Sequence, residues 1–168
     1  ECRILSSGSR TNPWMQESSN KIIQDGEIVS FDTDMVGPYG YCADISRAFV
    51  CGNKFNENQK KLYQTAVEQI DYNSRLIKAG LTFKEFTEKA WILPEKYYGN
   101  RYSVMLHGIG LCDEWPAIRY PTDGGERGGT FQKNMTITLE SYIGEVGGNE
   151  GVKLEQQYLV GENGLELM

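Results

Sequence analysis

The sequence predicts an α+β fold whose sheet is carried by antiparallel strands. Two pairs of strand-like runs, each joined by a tight glycine-rich turn, and two helical stretches opened by capping residues lead to that reading. Ile4-Leu5-Ser6-Ser7-Gly8 reads as a short strand ending in a turn. Asn12-Pro13 then predicts a helix start, Asn12 as the cap and Pro13 at the first helical position, with the helix running to about Asp25-Gly26. Glu27 to Met35 and Tyr41 to Cys51 form a hairpin around Gly37-Pro38-Tyr39-Gly40. A long helix follows from about Asn56 to Ala79, closed by Gly80. Thr82-Phe83-Lys84-Glu85 is a capping box for a second helix reaching about Tyr97. Tyr102 to His107 is a short strand, and residues 112–129 form a Gly- and Pro-rich loop long enough to suit a functional role. Asn134 to Val146 and Val152 to Leu159 make the second hairpin, joined by Gly147-Gly148-Asn149-Glu150-Gly151.

The 168 residues suffice for one domain with a real core, without disulfides or a structural metal to staple it. A net charge of −6 argues against a nucleic-acid partner, and Lys54, Lys60 and Lys61 are too sparse to track phosphates. Apolar runs stay well short of the roughly 20 residues that span a bilayer, and the opening residues lack a signal-peptide pattern. The expectation is no membrane partner, and a cytoplasmic location follows from reading the cysteines as free thiols in a reducing compartment. Cys2, Cys42, Cys51 and Cys112 are scattered without CxxC spacing, which fits free thiols better than structural zinc, with two disulfides as the alternative.

Chemistry concentrates on the strands. Residues two apart in a strand share a face, so Asp32 and Asp34 point one way and Phe31 and Thr33 the other, while Asp44 returns on the paired strand. Three carboxylates beside Phe31, Val36 and Ile45 cost free energy unless something cancels their charge. Glu140 and Glu155 sit inside otherwise core-like strands, Thr136 to Tyr142 and Val152 to Glu155. Any one of these acids alone reads as a solvated position. Five on consecutive strands, with the chain's single histidine in His107-Gly108-Ile109-Gly110, point instead to divalent ions such as Mn²⁺, Fe²⁺, Co²⁺ or Zn²⁺.

Phe31-Asp32-Thr33-Asp34, Asp44-Ile45-Ser46-Arg47, His107-Gly108-Ile109-Gly110, Glu140 and Gly151-Val152-Lys153-Leu154-Glu155 together resemble, in that order, the metal signature of the pita-bread family. That family includes methionine aminopeptidase, Xaa-Pro peptidases and creatinase. The resemblance covers nearly the whole chain. It implies a curved antiparallel sheet with helices on its outer side, a cofactor of two divalent metal ions (Fe, Mn, Zn or Co) and a homodimer. It also implies that residues 1–168 are a single catalytic domain lacking the family's N-terminal domain and first helices.

Two departures separate the chain from the family's peptidases. They carry a further histidine some seven residues after the ligand histidine, where this chain reads Leu111-Cys112-Asp113-Glu114-Trp115-Pro116. Their Asp-x-Gly strand start is here Asp32-Thr33-Asp34. Both departures are similar to one branch, the dimethylsulfoniopropionate lyases of marine bacteria, as are Asn12-Pro13-Trp14 and Cys112 to Pro116. That resemblance implies six metal ligands at Asp32, Asp34, Asp44, His107, Glu140 and Glu155. It implies Asp113 as catalytic base, six residues after the histidine, and a catalytic Tyr102 five residues before it. The substrate would be a small zwitterion whose sulfonium suits aromatic faces, with Trp14, Tyr102 and Trp115 as candidates and plain core packing as the competing role for each. A dinuclear Xaa-Pro-type peptidase and a non-catalytic fragment of the fold are the competing functions.

Overall fold

The computed structural model describes residues 3–14 and 16–168. Both hairpins expected from their turn residues form. β2 (Ile28–Val36) and β3 (Cys42–Val50) pair antiparallel across a turn in which Tyr39 and Gly40 take φ of 63° and 81°. β1 (Arg3–Ser7) adds to the free edge of β2, completing a three-stranded sheet in the order β1-β2-β3. The second hairpin, β6 (Thr136–Gly144) and β7 (Gly151–Val160), is the centre of a five-stranded sheet. Its order is β5-β4-β6-β7-β8, with β4 at Val104–Gly108, β5 at Ala117–Arg119 and β8 at Leu165–Leu167. Every pairing is antiparallel. The sheets meet where β3 lies against β7: Arg47 Nη2 donates to Gln156 Oε1 at 2.7 Å.

α1 (Glu57–Ser74) packs on β6 and β7. Its buried residues Leu62, Ala66, Gln69 and Asn73 recur every three or four positions, which is one helical face. Leu62 and Ala66 join Ile77, Phe86, Leu106, Ile118, Leu139, Ile143 and Val152 in the core. Each large aliphatic side chain buried there stabilises the fold by about 1.5–3 kcal/mol. The stripe's polar members are satisfied, as burial requires. Gln69 accepts from Ser141 Oγ at 2.7 Å and donates to the Tyr120 hydroxyl at 2.8 Å. Asn73 accepts from the Trp91 N–H at 2.8 Å.

Five expectations are corrected. No helix spans the described part of 13–25. Asn12 does not cap: its side chain is spent on Glu145 and Gly148 carbonyls and on Tyr142 and Asn100. The segment after it lacks an apolar stripe to bury, with Ile22 and Ile23 adjacent and exposed. The long helix stops at Ser74 instead of Ala79, because the N–H groups of Ala79 and Gly80 bond the Gly161 and Phe131 carbonyls. The capping box at Thr82 forms, but α2 covers only Phe83–Lys89 and the chain resumes as α3, Glu95–Tyr98. Pro94 separates them, having no N–H to donate and disfavouring helix in the residue before it. The loop at 112–129 contains β5, and Tyr102 precedes β4 instead of opening it. Cys42, Cys51 and Cys112 are free thiols, and Cys2 lies outside the described residues. Among the described residues no helix is long and apolar enough to cross a membrane.

Candidate metal centre

Register builds the site. Asp34 stands opposite Asp44 on β2–β3, Asp32 opposite Ser46, and Glu140 opposite Glu155 on β6–β7, while His107 on β4 pairs Thr138 on β6. Strand alternation carries one set of side chains inward from each sheet, and the junction of β3 with β7 brings the sets together. Like charges directly opposite across a ladder destabilise it, and here two such pairs converge. His107 Nε2 lies 3.3 Å from Glu140 Oε1, 3.5 Å from Glu155 Oε1 and 3.6 Å from Asp44 Oδ2. The carboxyls of Asp32, Asp44 and Glu155 approach one another closely, as do those of Asp34, Asp44 and Asp113. His107, Glu155 and Glu140 are at most 3% exposed, as is Asp44, so these charges have left water.

The strain of that arrangement is visible in the proton affinities. Burial, reinforced by the charge of Glu155, lifts Asp44 to about 10 and Glu140 to about 7. Asp32 is raised mainly by burial, and Asp113 by burial and then the charge of Asp34. Burial works to lower His107, yet the carboxylates of Glu140, Glu155 and Glu114 around it carry it up to about 11. Glu155 goes the other way: burial opposes its charge, but Lys153 and His107 outweigh that and pull it down to about 2.

The donor set fits divalent cations. Carboxylates with one imidazole are hard-to-borderline ligands. His107 Nδ1 faces the Gly108 carbonyl at 3.1 Å, an arrangement in which Nδ1 donates and Nε2 is turned toward the carboxylates. Buried His107 Nε2 and Asp44 Oδ1 have no hydrogen-bond partner among the described residues. Groups within this cluster, His107–Glu140–Glu155 and Asp32–Asp44–Glu155 among them, have the spacing to hold a metal ion.

All six residues singled out as ligands therefore gather in one cluster, and Asp113 joins them through Asp34 and Asp44. Trp14 and Tyr102 stack edge to face at 4.9 Å, but a cation already sits on both rings: Lys153 Nζ is 4.6 Å from Trp14 and 5.2 Å from Tyr102. The Tyr102 hydroxyl is raised well above its usual value by burial and then by Glu140 and Glu114, so it can donate a proton in a hydrogen bond but stays protonated. Trp115 is placed elsewhere. It is exposed, Arg127 faces its ring at 5.8 Å, and it lines a cavity of about 260 Å³ with Leu106 and Ile137, whose neighbours His107 and Thr138 point to the acids.

Two site residues escaped the sequence reading. Lys153 is 1% exposed and its Nζ meets Glu140 Oε2 at 2.5 Å, Glu155 Oε2 at 3.6 Å and Asp32 Oδ2 at 3.9 Å. It lies two residues before Glu155, so the alternation that turns Glu155 inward turns Lys153 inward too. Glu114 reaches within 4.0 Å of His107 Nε2 from a loop, where alternation gives no guidance. Ser46 and Thr138 support the set, Thr138 Oγ1 donating to Glu155 Oε1 at 2.7 Å and Ser46 to both Asp32 and Glu155.

A buried knot of carboxylates around one imidazole, with the spacing to hold metal ions, sits where two antiparallel sheets abut. The chain belongs to metallopeptidase family M24, which it matches over residues 2–162. It is 42% identical over 99% of its length to the dimethylsulfoniopropionate lyase DddP of Roseovarius nubinhibens, covering 38% of that protein. It is 33% identical to a Xaa-Pro dipeptidase of Pyrococcus horikoshii over 96% of its length and 44% of that protein's. The prolidase structure from Pyrococcus furiosus superimposes with a TM-score of 0.82 at 29% identity, over 99% of this chain and 48% of that one. The expected pita-bread fold stands. The chain thus spans less than half the length of these relatives.

Proposed function

We propose that the chain forms the metal centre of a lyase that cleaves dimethylsulfoniopropionate to acrylate and dimethyl sulfide. The observation that carries this reading is Asp113, a half-buried carboxylate whose oxygen gathers with those of Asp34 and Asp44. An elimination needs a base beside the site that binds the substrate carboxylate, and Asp113 is a carboxylate left over from the six-residue ligand set. Peptide hydrolysis by the family's histidine-assisted route is disfavoured, since His107 is the chain's single histidine. The 42% identity to a protein named as this lyase supports the same choice over the dipeptidase at 33%.

Asp32, Asp34, Asp44, His107, Glu140 and Glu155 would hold two divalent cations drawn from Fe, Mn, Zn or Co. Bound there, such ions supply Lewis-acid stabilisation to the negative charge that develops on the substrate carboxylate. The Asp113 carboxylate takes the proton from the carbon next to that carboxylate. The released electron pair forms the carbon–carbon double bond, and the bond to sulfur breaks with its pair going to sulfur. Acrylate and neutral dimethyl sulfide result, with the proton left on Asp113. The protonated Tyr102 hydroxyl is a donor for the substrate carboxylate, and its raised proton affinity keeps it out of the base role.

The test is headspace detection of dimethyl sulfide from purified protein loaded with Mn²⁺ or Fe²⁺, beside a Xaa-Pro dipeptide assay. Sulfide release without dipeptide cleavage is expected. Dipeptide hydrolysis with no sulfide would overturn the lyase reading in favour of the peptidase.

A further inference from the structure

Glu114 is the one acid of the cluster with no part in the reading above. Its side chain is 49% exposed while the His107 ring it faces, 4.0 Å away, is 0% exposed, so it stands at the rim of the site. His107 Nε2 and Asp44 Oδ1, the buried atoms beside it, have no hydrogen-bond partner among the described residues, and Asp44, His107 and Glu114 form one of the closely spaced ligand-type groups. Glu114 holds this position with a φ of 62°, and its N–H is engaged with Asp113 Oδ1 at 3.0 Å, which ties its backbone to the proposed base.

Charge counting separates Glu114 from the rest. The five acidic ligands Asp32, Asp34, Asp44, Glu140 and Glu155 would be balanced by Lys153 and two divalent ions, which leaves the inner site formally neutral. Asp113 and Glu114 remain as excess negative charge on the open side. Asp113 is committed to the carbon next to the metal-held carboxylate, whose proton it takes. The Trp14 and Tyr102 faces, the other cation-binding surface, are taken by Lys153 Nζ at 4.6 Å and 5.2 Å. An onium group entering beside a metal-held carboxylate thus finds one free anion, at the rim.

We propose that Glu114 is the specificity-determining carboxylate that receives the cationic end of the substrate and selects onium acids over uncharged ones; this rests on the lyase reading. The positive charge disappears as sulfur takes up its electron pair, so Glu114 stabilises the bound substrate more than the transition state. Its loss therefore raises KM, while kcat holds level or rises.

The experiment compares the metal-loaded chain with its Glu114→Gln variant. Affinities for dimethylsulfoniopropionate and for its uncharged isostere 4-methylpentanoate are measured by calorimetry, alongside metal content and dimethyl sulfide kinetics. The variant is expected to lose about tenfold in affinity and KM for the sulfonium, about 1.4 kcal/mol, and less than twofold for the isostere, with metal content intact. Equal weakening of both ligands, or none, overturns the assignment. Loss of metal from the variant overturns it too, making Glu114 a ligand. Calorimetry needs no turnover: a wild-type chain that prefers the sulfonium through Glu114 yet releases no dimethyl sulfide keeps this inference while refuting the lyase.

Discussion

Glu140 and Glu155 are direct partners across the β6–β7 ladder, and the Lys153 Nζ reaches both, at 2.5 Å and 3.6 Å. A pair of buried, opposed carboxylates is tolerable because this ammonium is buried with them. Lys153 is therefore part of what lets the sheet close over its acids, and it leaves the Oε1 atoms of both glutamates turned toward His107 Nε2.

Replacing Lys153 by Met should expose that dependence. The side chain keeps its bulk and loses its charge, leaving Glu140, Glu155 and Asp32 uncompensated. Breaking a buried pair from one side costs about 3–5 kcal/mol. A clear drop in melting temperature of the chelator-treated protein is expected. A variant that melts at or above the wild-type temperature would show that the acids are already neutralised by protons.

The chelator-treated protein should lose stability as pH rises. Asp44, lifted from 3.8 to about 10, and Glu140, lifted from 4.5 to about 7, bind protons more tightly folded than unfolded. Each contributes fully below its unfolded value and loses that contribution as pH climbs through its folded value. His107, raised from 6.5 to about 11, acts in the same sense. Glu155, pulled from 4.5 to about 2, opposes them only on acidification below its unfolded value. Melting temperature should fall between about pH 5.5 and 8.5, and scanning fluorimetry across that range measures it. A melting temperature that rises over the same interval contradicts the arrangement of charges.

Metal addition should reverse that trend. A divalent ion binds the folded cluster and replaces protons, so its stabilisation grows with pH. At one hundred times the dissociation constant the gain is about 2.7 kcal/mol, or roughly 5–10 °C for a chain this size. Mn²⁺ titrated against wild type and His107→Ala is the measurement, with the shift confined to wild type. An equal shift in both would place the bound metal away from His107.

What was legible in the sequence was whatever strand alternation controls. Asp32, Asp34, Asp44, Glu140 and Glu155 were readable because inward acids in apolar strands break a period-two pattern, and the two hairpins followed from their turn residues. Lys153 obeyed the same rule and was passed over because a lysine between core residues reads as a solvated position. The false helix after Pro13 came from a local signal that tertiary contacts overrode, Asn12 being drawn to the β6–β7 turn at Glu145 and Gly148. Glu114 and Trp115 lie on a loop whose side-chain directions no periodicity fixes, so one turned inward unforeseen and the other outward against expectation.

The base assignment makes the sharpest prediction. Asp113 lies beside Asp34 and Asp44 but belongs to a loop, so its carboxyl can change chemistry without changing a strand. Asp113→Asn keeps the shape and removes the proton acceptor. Dimethyl sulfide release should fall by at least a hundredfold, the worth of a positioned general base, while metal content and melting temperature stay at wild-type values. His107→Ala should differ in kind, losing metal and activity together. Tyr102→Phe should retain metal and lose part of its turnover, because the hydroxyl is a donor and the ring stays against Trp14 at 4.9 Å. Metal analysis and sulfide kinetics on the three variants separate the roles. Full activity in Asp113→Asn removes it as the base, and metal loss in that variant makes it a ligand.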